Sequence, residues 1–97
     1  MSELSWQSRL SIPDTTLVQE ANGEAILLSL ESESYFGLDE SGTRFWGALA
    51  SGGTLDEVAD KLLETFEVDE DELRKDLLAF VGELLEGKLV EIEGHDH

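Results

Sequence analysis

At Asp39 the spacing of apolar residues changes from every second position to every third or fourth, and that change calls for a sheet followed by helices. Before it, Thr15 to Glu20 (TTLVQE) and Glu24 to Glu31 (EAILLSLE) are β-branched or aliphatic runs separated by Ala21-Asn22-Gly23. Asn-Gly between apolar runs is the strongest short hairpin signal. In the second run Ile26, Leu28 and Leu30 share one face, and Ala25, Leu27 and Ser29 the other. The polar turn Ser32-Glu33-Ser34 leads into a short third strand, Tyr35-Phe36-Gly37-Leu38, which closes a three-stranded antiparallel meander.

Behind Asp39, an expected N-cap, Gly42, Phe45, Trp46 and Leu49 recur at helical spacing and predict a helix over 40–50. Ser51-Gly52-Gly53 breaks it. Thr54-Leu55-Asp56-Glu57 then matches the capping box, followed by Val58, Ala59, Leu62, Leu63 and Phe66 on one stripe. Phe45, Trp46, Leu62 and Phe66 are expected to hold these two helices on the sheet. Asp69 caps a third helix over 70–86, with an acidic first turn (Glu70, Asp71, Glu72) and a stop at Gly87. Leu89 to Ile92 suits a short final strand. The expected fold class is α+β and winged helix-turn-helix-like: a three-stranded antiparallel sheet, three helices and a short C-terminal strand. Residues 1–14 have no clear period and contain the only proline, Pro13, so a flexible or loosely docked N-terminal arm is expected over 1–14, the domain over 15–93 and a frayed tail over 94–97.

Ninety-seven residues suffice for one core. Six Lys and Arg against 23 Asp and Glu give a net charge of -17, which repels phosphate backbones and anionic lipid, so neither nucleic acid nor membrane is an expected partner. Winged helices commonly read DNA, but here the third helix opens on Asp69-Glu70-Asp71-Glu72 and holds only Arg74 and Lys75 as basic residues. The absence of Cys removes thiolate chemistry, and both histidines, His95 and His97, sit in the last three residues. A calcium loop starting at Asp69 fails because its sixth position is Arg74 and its twelfth Phe80. No enzyme, cofactor or metal site is expected. No apolar run reaches membrane-spanning length, which makes a soluble cytoplasmic protein the expectation.

What remains is surface for another protein. On a helical wheel Phe80, Leu73, Leu84, Leu77, Val81, Leu85 and Leu78 cover roughly 160°, a wide arc for one core-facing stripe. Beside it, the strand ending at Leu38 is an edge of the meander, apolar and uncharged, without the Lys or Pro that commonly protect an edge. An unprotected edge next to an apolar helix flank makes a groove for an extended peptide. The expected binding residues are Ser34, Tyr35, Phe36, Gly37 and Leu38 for backbone pairing, with apolar anchors lodged against Tyr35, Leu77, Leu78 and Val81. Arg74 would meet a peptide carboxylate, and Glu70 or Asp71 a basic side chain. Leu77 and Leu78 lie about 100° apart, so one of them is alternatively core.

Three blocks carry a resemblance: Gly23-Glu24-Ala25-Ile26-Leu27-Leu28; Tyr35-Phe36-Gly37-Leu38-Asp39-Glu40-Ser41-Gly42-Thr43-Arg44-Phe45-Trp46; and Phe80 to Val90, ending Gly87-Lys88-Leu89-Val90. With Thr54 to Val58 between them, they resemble the PqqD-like family of precursor-peptide recognition elements over about residues 15–92. The stand-alone members of lasso-peptide clusters are the most similar. The resemblance implies a non-catalytic chaperone that grips the leader of a ribosomally synthesised precursor peptide. In the family the leader adds as a strand in the cleft between the third strand and the third helix, and is delivered to a modifying enzyme or leader peptidase. Two other classes share the composition. One is an acidic winged-helix regulatory or adaptor protein that binds another protein; the other is a subunit of an obligate complex with a basic partner.

Overall fold

Asn22 and Gly23 both hold positive φ, 57° and 80°, so the chain reverses in the tight two-residue turn that matches strand twist. The computed structural model describes residues 4–93. The turn joins β2 (Thr16–Ala21) to β3 (Glu24–Ser29), and β4 (Ser34–Leu38) pairs antiparallel with β3 on its other side, giving the sheet order β2-β3-β4. Three helices follow: α1 (Glu40–Ala50), α2 (Leu55–Thr65) and α3 (Glu70–Glu86). Two short strands, β1 (Leu10–Ser11) and β5 (Glu91–Ile92), form a separate antiparallel pair. The α+β winged-helix arrangement is as the sequence predicts.

Local chemistry sets most helix ends. The Asp39 carboxylate accepts from the Gly42 N–H at 2.8 Å and starts α1. At α2 the Thr54 hydroxyl accepts from the Glu57 N–H while Glu57 Oε1 accepts from the Thr54 N–H at 2.8 Å, a complete capping box. Asp69 stands at the N-cap of α3 but makes no side-chain cap bond. The C-terminus of α3 departs from expectation in one residue. Gly87 has φ of -82° and it is Lys88, at +60°, that takes the left-handed position. Leu89 N–H then donates to Leu84 O and Lys88 N–H to Leu85 O, the paired bonds of a Schellman end. This motif drops Leu84 and Leu89 together into the core.

The inner face of β3 presents Ala25, Leu27 and Ser29, all buried, and α1 lies across β3 and β4. Trp46 and Leu49 of α1, Val58, Ala59 and Leu62 of α2, and Leu73, Leu77, Val81 and Leu84 of α3 complete the core. Of the four residues expected to anchor the first two helices, Trp46 and Leu62 are buried, whereas Phe45 and Phe66 are half-buried.

Of the two expectations for 1–14, a flexible or a loosely docked arm, the described residues take the docked one. β1 pairs with β5, Leu55 N–H donates to Ser8 O, Asp56 N–H to Trp6 O, and Glu93 N–H to Arg9 O. Leu4, Trp6 and Leu10 pack against the core. The segment docks because α2 begins with backbone donors its own helix cannot satisfy, and the N-terminal carbonyls accept from them. Residues 1–3 and the tail expected to fray, 94–97, lie outside the described residues.

Candidate functional site

β4 ends the sheet, with β3 on one side and, among the described residues, no strand on the other. Residues alternate along it. Phe36 and Leu38 turn toward the core, while Tyr35, 73% exposed, stands on the opposite face with Gly37. Beyond the free edge runs α3, and between the two opens a cleft of about 410 Å³ lined by Phe36, Gly37, Leu38, Asp39, Gly42, Phe80 and Glu83.

The walls of this cleft follow from local folding. Phe80 is braced by Phe45, with ring centroids 5.7 Å apart and planes at 84°, and Phe45 is braced in turn by Phe66 at 5.6 Å and 75°. Both are edge-to-face contacts of the kind the ring quadrupoles favour. Gly42 opens the floor, because a Cβ there would stand 3.3 Å from Leu38 Cδ2. The charged lining residues are acidic: Asp39, already engaged with the Gly42 N–H, and Glu83. Such a cleft accommodates an extended chain with apolar side chains facing Phe36 and Phe80 and a basic group near Glu83, and the free edge of β4 lies open to main-chain pairing.

The expected α3 residues are not those at this cleft. Leu77 and Val81 are each 0% exposed and belong to the core, so they form no wall of an open groove. Arg74 and Leu78 lie on the other flank. Arg74 is about 120° and Leu78 about 160° from Phe80 around the helix. Arg74 is also engaged there: Nη2 lies 2.7 Å from Asp56 Oδ1 of α2, Nε 2.9 Å from Glu70 Oε2, and the guanidinium stacks 4.5 Å from the Trp6 ring centre. Its hydrogen bond to Asp56 raises its pKa above the ordinary arginine value, with Glu70 adding to this and burial opposing it. Glu70 is therefore committed to Arg74, and this cluster ties α3 to α2 and the N-terminal segment. On β4, Phe36, Gly37 and Leu38 reach the cleft, Ser34 pairs with Ser29 at the strand's start, and Tyr35 faces away.

Sequence reasoning passed over Phe80, Glu83, Asp39 and Gly42 as site residues. Phe80 was available as the extreme residue of the wide apolar arc. Glu83, about 60° from it, marks where that arc meets solvent. Among the described residues no group of three or more His, Asp or Glu is placed to hold a metal ion, and no helix is long and apolar enough to cross a membrane.

The chain matches the family model of coenzyme PQQ synthesis protein D (PqqD) over residues 24–90. No curated protein gives a match. Among solved structures, TbiB1 in complex with the TbiA(beta) leader peptide is 31% identical and superposes with a TM-score of 0.76, covering 90% of this chain and 99% of that one. Lasso peptide synthetase B1 complexed with the leader peptide is 22% identical with a TM-score of 0.68, covering 86% and 98%. The second shares the fold.

Proposed function

The chain belongs to the PqqD family, and on that premise we propose that it is a non-catalytic carrier of a precursor peptide, binding the leader segment in the cleft between β4 and α3. The leader pairs as an added strand with the free edge of Ser34–Leu38, and its apolar anchors lodge between Phe36 of β4 and Phe80 of α3. The protein then presents the bound precursor to the modifying enzyme or leader peptidase of the same pathway. The observation that carries this reading is the cleft itself: an unpaired strand edge facing an aromatic helix flank, in a chain 31% identical to a protein solved with a leader peptide.

Binding of this kind needs no reacting group. Low-micromolar to nanomolar affinity corresponds to about -8 to -12 kcal/mol. Two or three buried anchors at about 1.5–3 kcal/mol each, with strand hydrogen bonds, reach it after the cost of ordering the peptide.

The test is titration of a fluorescently labelled leader peptide into purified variants whose folding is checked by circular dichroism. Phe80→Ala weakens binding at least tenfold, Glu83→Lys weakens it several-fold for a leader with a basic residue at that point, and Leu78→Ala leaves it within twofold. N-methylation of alternate leader amides abolishes binding at the positions that pair with β4. The reverse pattern, loss with Leu78→Ala and none with Phe80→Ala, would put the peptide on the α2 flank and overturn the assignment.

A further inference from the structure

The outer face of the sheet, turned away from the helices, is uncharged at its centre. Register places Leu17, Leu28 and Tyr35 in one row across the three strands and Gln19, Ile26 and Gly37 in the next. Leu17 is 48% and Ile26 52% exposed, and with Val18, Gln19, Leu28 and Tyr35 they line a shallow depression of about 530 Å³. Leu30, also exposed, extends the patch at the end of β3. In a chain whose residues are 30% charged, such a face is out of keeping with a surface meant only for water.

Its border is charged with one sign. Glu24 is exposed on the same face of β3 as Ile26 and Leu28, Asp14, Glu31 and Glu33 are exposed in the turns that flank the strands, and from Leu10 to Thr43 the chain carries no Lys or Arg. A second copy would bring two acidic borders together. A partner with an apolar patch bordered by Lys and Arg satisfies both parts of this surface.

We propose that the outer sheet face is a docking surface for the enzyme that acts on the precursor, a protein presenting an apolar patch ringed by basic residues; this rests on the leader-carrier reading above. Tyr35 and Gly37 stand on the strand whose edge the leader would join, so an enzyme seated here lies beside the bound peptide while the cleft stays occupied.

The experiment uses the full chain with two separately measured probes: the labelled leader peptide, and the purified leader peptidase or cyclase of the same precursor. Leu17→Glu and Ile26→Glu each lower affinity for the enzyme tenfold or more and leave leader affinity within twofold. The charge reversal Glu24→Lys lowers enzyme affinity several-fold at low salt and less at high salt. Three results would each overturn the proposal: unchanged enzyme affinity in the Leu17 and Ile26 variants, a wild-type chain that binds leader but neither enzyme, or a sedimenting dimer of this chain that Ile26→Glu dissociates. A wild-type chain that holds the enzyme through this face but fails to bind leader supports the docking surface and overturns the carrier reading alone.

Discussion

The Thr16 hydroxyl donates a 2.8 Å hydrogen bond to the carbonyl of Leu89, tying the start of β2 to the turn that ends α3, a sequence separation of 73. Ser32 Oγ donates to Gly87 O at 2.7 Å, and Ser29 Oγ reaches Lys88 O at 3.4 Å. Three hydroxyls, from β2, from β3 and from the turn after it, thus meet the carbonyls of Leu89, Lys88 and Gly87, the three residues that follow α3, and this seam ties the end of α3 to the sheet. Thr16→Val should cost about 1–2 kcal/mol, because Leu89 O loses its donor in a part-buried place, and Thr16→Ser should cost less. Urea denaturation with an unchanged m-value is the measurement.

Trp46 is the largest aromatic residue in the core and is 4% exposed. Trp46→Ala should cost about 3–5 kcal/mol, a large share of the stability of a domain this small. A variant that still melts cooperatively near the wild-type temperature would show that the ring is not a core support.

Gly53 has φ of +102°, and a Cβ there would stand 2.8 Å from Glu57 Oε1, the oxygen that closes the capping box of α2. Gly53→Ala combines left-handed strain with displacement of that carboxylate and should destabilise by about 1–3 kcal/mol. Gly47→Ala, where a Cβ meets nothing within 4 Å, should be neutral or stabilising by up to about 1 kcal/mol. Thermal melts of the pair separate the two effects.

The N-terminal segment should behave as part of the domain. The amides of Leu55, Asp56 and Glu93, bonded to Ser8, Trp6 and Arg9 carbonyls, should be protected from hydrogen exchange in the wild-type chain. Trp6→Ala removes the ring under Arg74 and should cost about 1–2 kcal/mol, less than the loss of Trp46, while speeding exchange at Leu55 and Asp56. Exchange at those amides as fast as in an unfolded peptide would sink this.

Signals that act within a few residues were legible. Asn22-Gly23, the Asp39 cap and the Thr54–Glu57 box each state their conformation through backbone strain or a hydrogen bond inside one turn, and the structure holds all three. The edge position of Ser34–Leu38 was legible for a similar reason, since a meander of consecutive hairpins can order its strands in only one way.

By itself, then, the sequence determined the elements, their order and the exposure of one uncharged strand edge, because propensity, caps and turns are local. Tertiary structure alone decided which sides face inward. Both faces of β3 are apolar, so a period of two could not choose between Ala25-Leu27-Ser29 and Ile26-Leu28-Leu30, and packing buried the smaller set where α1 comes closest. The apolar arc of α3 has two flanks of like character, and only the seam at Leu89 and the Arg74–Asp56 contact turned Phe80 rather than Leu78 toward β4. The two-residue strand β1 has no period to detect. Its order comes from β5 and the first turn of α2, partners distant in sequence whose unpaired backbone groups exist only once the rest of the chain has folded.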